Sequence, residues 1–160
     1  MLKLLVADDE RILREAVCYL IDWKSIGIEL AASCKNGREA YEEACRTKPD
    51  IILTDIKMPG LSGLELIEKL NDTRENIQFI ILSGYSEFEY AKQAMRFGIR
   101  HYLLKPCNEN QIIEAIEDVK KAFRNLVWVL EEIAGKKESL AFLSSLVKEL
   151  EDEQVHKESD

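Results

Sequence analysis

The chain has 160 residues, enough for one domain that buries roughly 70% of its unfolded surface. Its 22 Lys plus Arg stand against 30 Asp plus Glu, a net charge of −8, which repels a nucleic-acid backbone and argues against direct DNA or RNA binding. No apolar run approaches the roughly 18 residues that span a bilayer, and Met1-Leu2-Lys3-Leu4-Leu5-Val6-Ala7 meets acids at once instead of a cleavage site, so a cytoplasmic protein with no membrane partner is expected.

In chain order, Leu2 to Ala7, Ile28 to Ser33, Ile51 to Thr54, Phe79 to Leu82 and Tyr102 to Leu104 are short apolar runs that predict five strands. Four stretches with apolar residues at helical spacing separate them, among them Ile12, Ala16, Leu20 and then Leu64, Ile67, Leu70. A fifth helix begins near Asn108, whose side chain can cap it, and runs through Ile112, Ile116 and Val119. Strand and helix alternating in this way require parallel strands with right-handed crossovers, and helices on both sheet faces. Ile51-Ile52-Leu53 and Phe79-Ile80-Ile81-Leu82 are continuously apolar, as strands buried on both faces are.

Two local features have plain readings. Cys18, Cys34, Cys45 and Cys107 lie far apart with no CxxC pair, so buried or half-buried free thiols are expected rather than a zinc or redox site. The sequon Asn71-Asp72-Thr73 is a glycan acceptor only in a secreted protein and is read as a helix-end turn.

In a parallel sheet, whatever follows the last apolar residue of each strand collects along one edge. Here that gives Asp8, Asp9 and Glu10 after the first strand, Asp55 after the third, Ser83 after the fourth, and Lys105-Pro106 after the fifth. Acids pressed together resist ionisation unless a divalent cation supplies the opposite charge. Oxygen-only ligands favour Mg²⁺, which takes one or two carboxylates together with waters and phosphate oxygens. With Mg²⁺ and Lys105 neutralising phosphoryl oxygens, the Asp55 carboxylate can attack phosphorus and become an aspartyl phosphate, to which Ser83 donates a hydrogen bond. Each piece has a duller reading: an Asp-Asp-Glu run suits any helix start, and Ser-Gly or Lys-Pro suits any turn. Their occurrence in order, each at a strand end, carries the site.

Val6-Ala7-Asp8-Asp9-Glu10, Thr54-Asp55-Ile56-Lys57-Met58-Pro59-Gly60-Leu61-Ser62-Gly63, Ile81-Leu82-Ser83-Gly84-Tyr85 and Tyr102-Leu103-Leu104-Lys105-Pro106 closely resemble bacterial response-regulator receiver domains over about residues 1 to 123. Ser83-Gly84-Tyr85-Ser86-Glu87-Phe88-Glu89-Tyr90-Ala91 and Leu20-Ile21-Asp22-Trp23 resemble the subgroup that precedes AraC-type helix-turn-helix DNA-binding domains. The resemblance implies a flavodoxin-like, doubly wound sheet of order 2-1-3-4-5 and phosphotransfer from a sensor histidine kinase to Asp55. It also implies Asp9 as the direct carboxylate metal ligand beside Asp55, Asp8 acting through water, and a ligating Lys57 carbonyl. A cis peptide between Lys105 and Pro106 and a switch pair of Ser83 and Tyr102 follow from it too. Ser83 stands where the family often has Thr, and Gly84 where it often has Ala; the hydroxyl is kept. Lys57 and Tyr85 flank the site with large side chains.

One hydrogen bond to a charged oxygen contributes roughly 1.5 to 3 kcal/mol, whereas turning a 1:99 equilibrium into 99:1 needs about 5.5. Tyr102, Lys105 and homodimerisation on phosphorylation, through the face of the fourth helix, fifth strand and fifth helix, are expected to supply the rest.

Beyond residue 123 the apolar positions Phe123, Leu126, Leu130 and Ile133 continue the alternating fours and threes of a coiled coil, and Leu140, Leu143, Val147 and Leu150 resume it after Gly135-Lys136-Lys137. A helical extension over 124–160 with a polar tail is expected, either a hairpin folded back on its own receiver or a dimerising helix. It holds five Lys or Arg against nine Asp or Glu, so it hides no basic helix-turn-helix, and output passes through protein contacts or through residues outside this chain.

Two rivals from other classes are weaker. A magnesium-dependent phosphatase also uses an Asp after a strand, but carries a second acid two residues on, where this chain has Lys57. A nucleotide-binding module needs a glycine-rich loop after its first strand, and none is present.

Overall fold

The computed structural model describes residues 1–73, 76–84, 88–99, 101–134, 145 and 147–153. The chain divides into two compact units, Met1–Ile116 and Glu117–Asp160.

The first unit alternates strand and helix: β1 (Leu2–Ala7), α1 (Arg11–Leu20), β2 (Ile28–Cys34), α2 (Gly37–Thr47), β3 (Ile51–Thr54), α3 (Gly63–Thr73), β4 (Gln78–Ser83), α4 (Phe88–Arg96) and β5 (His101–Leu104). The last helix, α5 (Glu109–Ala134), crosses into the second unit. All strand pairs are parallel, in the order β2-β1-β3-β4-β5, which is the expected doubly wound sheet. Hydrogen bonding carries β2 one residue past its apolar run to Cys34, and adds a residue at each end of β4 and one at the start of β5. Such ends are set by the partner strand's register more than by the residue's own polarity.

The register places the site. Ala7 pairs with Thr54, and Thr54 with Ile81, so β1 and β3 end level and release Asp8 and Asp55 side by side. Ser83 pairs with Leu104, so Lys105 leaves β5 beside the end of β4. Beneath this edge Leu5, Ile52 and Ile81 are fully buried with Leu66, Ile67 and Leu70 of α3, each side chain contributing roughly 1.5–3 kcal/mol by leaving water. That packing makes the edge a rigid platform.

Local chemistry explains the helix ends. Asn36 Oδ1 accepts from the Glu39 amide at 2.8 Å to start α2, and Lys48 ends it in the left-handed conformation, φ 53°. Asn108 Oδ1 accepts from the Gln111 amide while Gln111 Oε1 accepts from the Asn108 amide, both at 2.9 Å, a reciprocal box that starts α5 where the capping side chain predicts. Asn71, Asp72 and Thr73 are the last three residues of α3.

The stripe Ile12, Ala16, Leu20 lies on α1 as expected; on it Ile12 and Leu20 are exposed, whereas Val17 and Cys18 are buried. Arg14, on the same helix, donates to the Asp8 carbonyl at 2.7 Å. Cys18 and Cys34 are buried and Cys107 half-buried as expected, but Cys45 is exposed, because α2 buries Ala40 and Ala44 on its opposite side.

In the second unit α5 runs on to Ala134, with Glu117 paired to Lys120 at 3.2 Å and to Arg124 at 3.7 Å. Residues 147–153 are helical, and Val147 and Leu150 are exposed. Gly135-Lys136-Lys137, Leu140 and Leu143 lie outside the described residues. Among the described residues no helix is long and apolar enough to cross a membrane.

Candidate functional site

The sheet edge gathers Asp8, Asp9, Glu10, Asp55 and Lys105. Carboxylate oxygens of Asp8, Asp9 and Asp55 lie within 4.8 Å of one another. Asp8 and Asp55 are buried and Asp9 is exposed, so the cluster opens to solvent on the Asp9 side. Lys105 Nζ stands among the acids, 3.0 Å from Asp8 Oδ2, 3.1 Å from Asp55 Oδ2 and 3.2 Å from Glu10 Oε1.

The acceptor side of this cluster is held by backbone. Asp55 Oδ1 accepts from the Ile56 amide at 2.7 Å, the Asp55 amide donates to the Ala7 carbonyl at 2.9 Å, and Thr54 Oγ1 donates to the Asp55 carbonyl at 2.9 Å. Asp8 Oδ1 accepts from the Glu10 amide at 2.9 Å. One Asp55 oxygen is therefore fixed by the chain and the other faces the Lys105 cation.

Burial pushes the Asp8 carboxyl up to about 6, more than the Glu10 amide and Lys105 pull it down. Burial also disfavours the charged Lys105, but hydrogen bonds and charges from Asp8 and Asp55 outweigh it and hold the ammonium above the usual lysine range. The two shifts agree: a partly desolvated acid cluster binds its cation tightly and still carries more acid than one lysine neutralises. A hard divalent cation with oxygen ligands fits such a donor set, and Mg²⁺ does so without needing an all-protein cage.

Ser83 and Tyr102 differ from the rest. Ser83 is fully buried at the end of β4, and its Oγ has no hydrogen-bond partner among the described residues; neither has the buried Tyr102 Oη. The Ser83 hydroxyl is thus not joined to Asp55, although its carbonyl accepts from the Lys105 amide at 2.7 Å. The Lys105-Pro106 peptide is cis, as the resemblance implies. Lys57 is exposed, two residues past Asp55. Tyr85 lies outside the described residues.

Sequence reasoning missed Gly63 and Arg14. A Cβ on Gly63 would sit 2.0 Å from the Asp55 carbonyl oxygen, and the Gly63 amide donates to the Ile56 carbonyl at 2.7 Å, so only glycine lets α3 begin against the loop that carries Asp55. Its place eight residues after Asp55 was the available signal. Arg14, which donates to the Asp8 carbonyl, gave none, being an ordinary helix arginine.

Residues 4–117 match the family described as the response regulator receiver domain. The chain belongs to that family. The receiver is 52% identical over 119 residues to the uncharacterized transcriptional regulatory protein YesN of Bacillus subtilis (strain 168), a match covering 74% of this chain and 32% of that protein. It is 35% identical over 112 residues to the transcriptional regulatory protein HptR of Staphylococcus aureus (strain NCTC 8325), covering 70% and 44%. It also superposes on the receiver domain of AraT, a response regulator from Geobacillus stearothermophilus, with a TM-score of 0.74 at 36% identity, covering 78% of this chain and 96% of that one. The chain spans less than half the length of these curated relatives. Receiver domains are switched by phosphorylation, bind Mg²⁺ at an acidic pocket and interact with sensor histidine kinases; in this chain Asp8, Asp9 and Asp55 form an acidic cluster.

Proposed function

We propose that this receiver accepts a phosphoryl group on Asp55 from a sensor histidine kinase and switches conformation to control transcription, through a DNA-binding domain outside these residues. The observation that carries this is the Asp55 Oδ2 held 3.1 Å from Lys105 Nζ, inside the carboxylate cluster with Asp8 and Asp9.

Asp55 is the nucleophile: its oxygen forms the bond to phosphorus as the bond to the kinase's histidine nitrogen breaks. Asp9, Asp55 and the Lys57 backbone carbonyl would hold Mg²⁺, with Asp8 acting through water. When bound, the cation neutralises phosphoryl oxygens and so lowers the barrier to attack by an anionic nucleophile. Lys105 pairs with the phosphoryl group from the other side. Ser83 then donates its unpartnered hydroxyl to the aspartyl phosphate, and Tyr102 follows inward as the second half of the switch.

The chemistry is confined to self-catalysed phosphotransfer and autodephosphorylation; the chain is no enzyme acting on a separate substrate. Residues 1–123 form the receiver, and 124–160 a helical extension linking it to output. A cytoplasmic location, homodimerisation on phosphorylation through the α4, β5 and α5 face, and no direct contact with nucleic acid complete the proposal; exposed Met95 and Leu104 and the net charge of −8 support the last two.

Incubation with a small acyl-phosphate donor and Mg²⁺, followed by intact-mass measurement, tests the assignment. One phosphoryl mass is expected on wild type and none on Asp55→Ala; an unchanged wild type, or equal gain on both, overturns it.

A further inference from the structure

The part of α5 that belongs to the second unit carries an apolar surface unlike that of a helix meant for water. Leu126, Val127, Trp128, Val129 and Leu130 are 57, 51, 63, 43 and 56% exposed, five consecutive large apolar side chains. Contiguous exposed surface of this kind marks an interaction site.

Its pattern says what kind. Phe123, Leu126, Leu130 and Ile133 alternate by three and four, the inner seam of a helix supercoiled on a like helix. Val127 follows one seam residue and Val129 precedes another, so the seam is flanked by apolar positions rather than charged ones. Charge collects on the outer side instead, at Glu117, Asp118, Arg124, Glu131 and Glu132. Two copies brought together along the seam would therefore meet without like charges opposed.

We infer that this segment pairs with the same segment of a second copy of the chain, forming a dimer that exists without phosphorylation. It is distinct from the phosphorylation-promoted contact proposed above, and does not depend on it. Burying Leu126, Val127, Val129 and Leu130 with the half-buried Phe123 and Ile133 on both copies removes on the order of 1,000 Å² from water, at about 80 Å² per side chain, the lower limit for a specific interface. Trp128 falls on the outer side of the pair.

Sedimentation equilibrium of the full chain over a concentration series, with no phosphodonor and no Mg²⁺, decides the matter. Wild type is expected at twice the 18.4 kDa of one chain, the double variant Leu126→Lys, Leu130→Lys at a single chain mass, and the conservative double variant Leu126→Ile, Leu130→Ile again at twice that mass. A monomeric wild type overturns the inference, whether the surface is covered by the chain's own residues or by another protein. A dimer that survives both lysines overturns it as well, since assembly would then lie elsewhere.

Discussion

The two sides of the sheet edge are built to different standards. On the β1 and β3 side, the Asp55 carboxylate, carbonyl and amide and the Asp8 carboxylate each have a partner within 3.1 Å. On the β4 and β5 side, two buried hydroxyls, those of Ser83 and Tyr102, have none among the described residues. An unpaired buried hydroxyl costs about 1–3 kcal/mol, so the second side is held short of its best state while the first is already at it. A receiver needs both: a rigid acceptor for chemistry, and neighbours that gain a bond only once the acceptor is modified.

The contrast breaks most visibly at Gly63. Because a side chain there would collide with the Asp55 carbonyl, Gly63→Ala is expected to cost about 3 kcal/mol in urea unfolding and to slow phosphorylation, as overpacking against fixed backbone does. Full stability and an unaltered phosphorylation rate would show that the acceptor loop is softer than its hydrogen bonds indicate.

A middle-sized effect concerns protons. With Asp8 raised from 3.8 to about 6, the metal-free site takes up a proton as pH falls through 6, and Mg²⁺ must displace it. Calorimetric Mg²⁺ affinity should therefore be nearly flat above pH 7 and fall by up to about tenfold per pH unit below 6. The same raised value means that the stability this group lends the metal-free fold is full below about pH 4, falls as pH rises from 3.8 to about 6, and is gone above that. An affinity independent of pH between 5 and 7 would remove Asp8 from the binding set.

The smallest expected change is at the opposite side. Ser83→Ala deletes a hydroxyl with no partner among the described residues, so resting stability should shift by less than about 1 kcal/mol, and upward if at all, while phosphorylation on Asp55 ceases to alter the near-ultraviolet circular dichroism of Tyr102. A large loss of resting stability would mean that the hydroxyl already has a partner.

Much of this was legible in the sequence because a parallel sheet converts chain order into place. The apolar runs ending at Ala7, Thr54, Leu82 and Leu104 brought Asp8, Asp55, Ser83 and Lys105 to one edge, and the cap at Asn108 started α5 on time. What stayed hidden depends on rotation about an axis. Ile12 and Leu20 sit at helical spacing, yet they are exposed whereas Val17 and Cys18 are buried. Likewise adjacent Asp8 and Asp9 are equivalent on paper, yet one is buried and the other exposed because they leave the strand in opposite directions. An unpartnered hydroxyl cannot be read from residue type at all.

Lys105 lies where a cation would draw on the same oxygens. With its ammonium within hydrogen-bonding distance of both Asp8 and Asp55, the protein carries a tethered stand-in for the ion, which keeps two desolvated carboxylates together at rest. An arriving ion must win these oxygens from a rival that can never diffuse away. A divalent ion bound there would take over part of the charge that the lysine now neutralises, and would leave the ammonium able to reach phosphoryl oxygens.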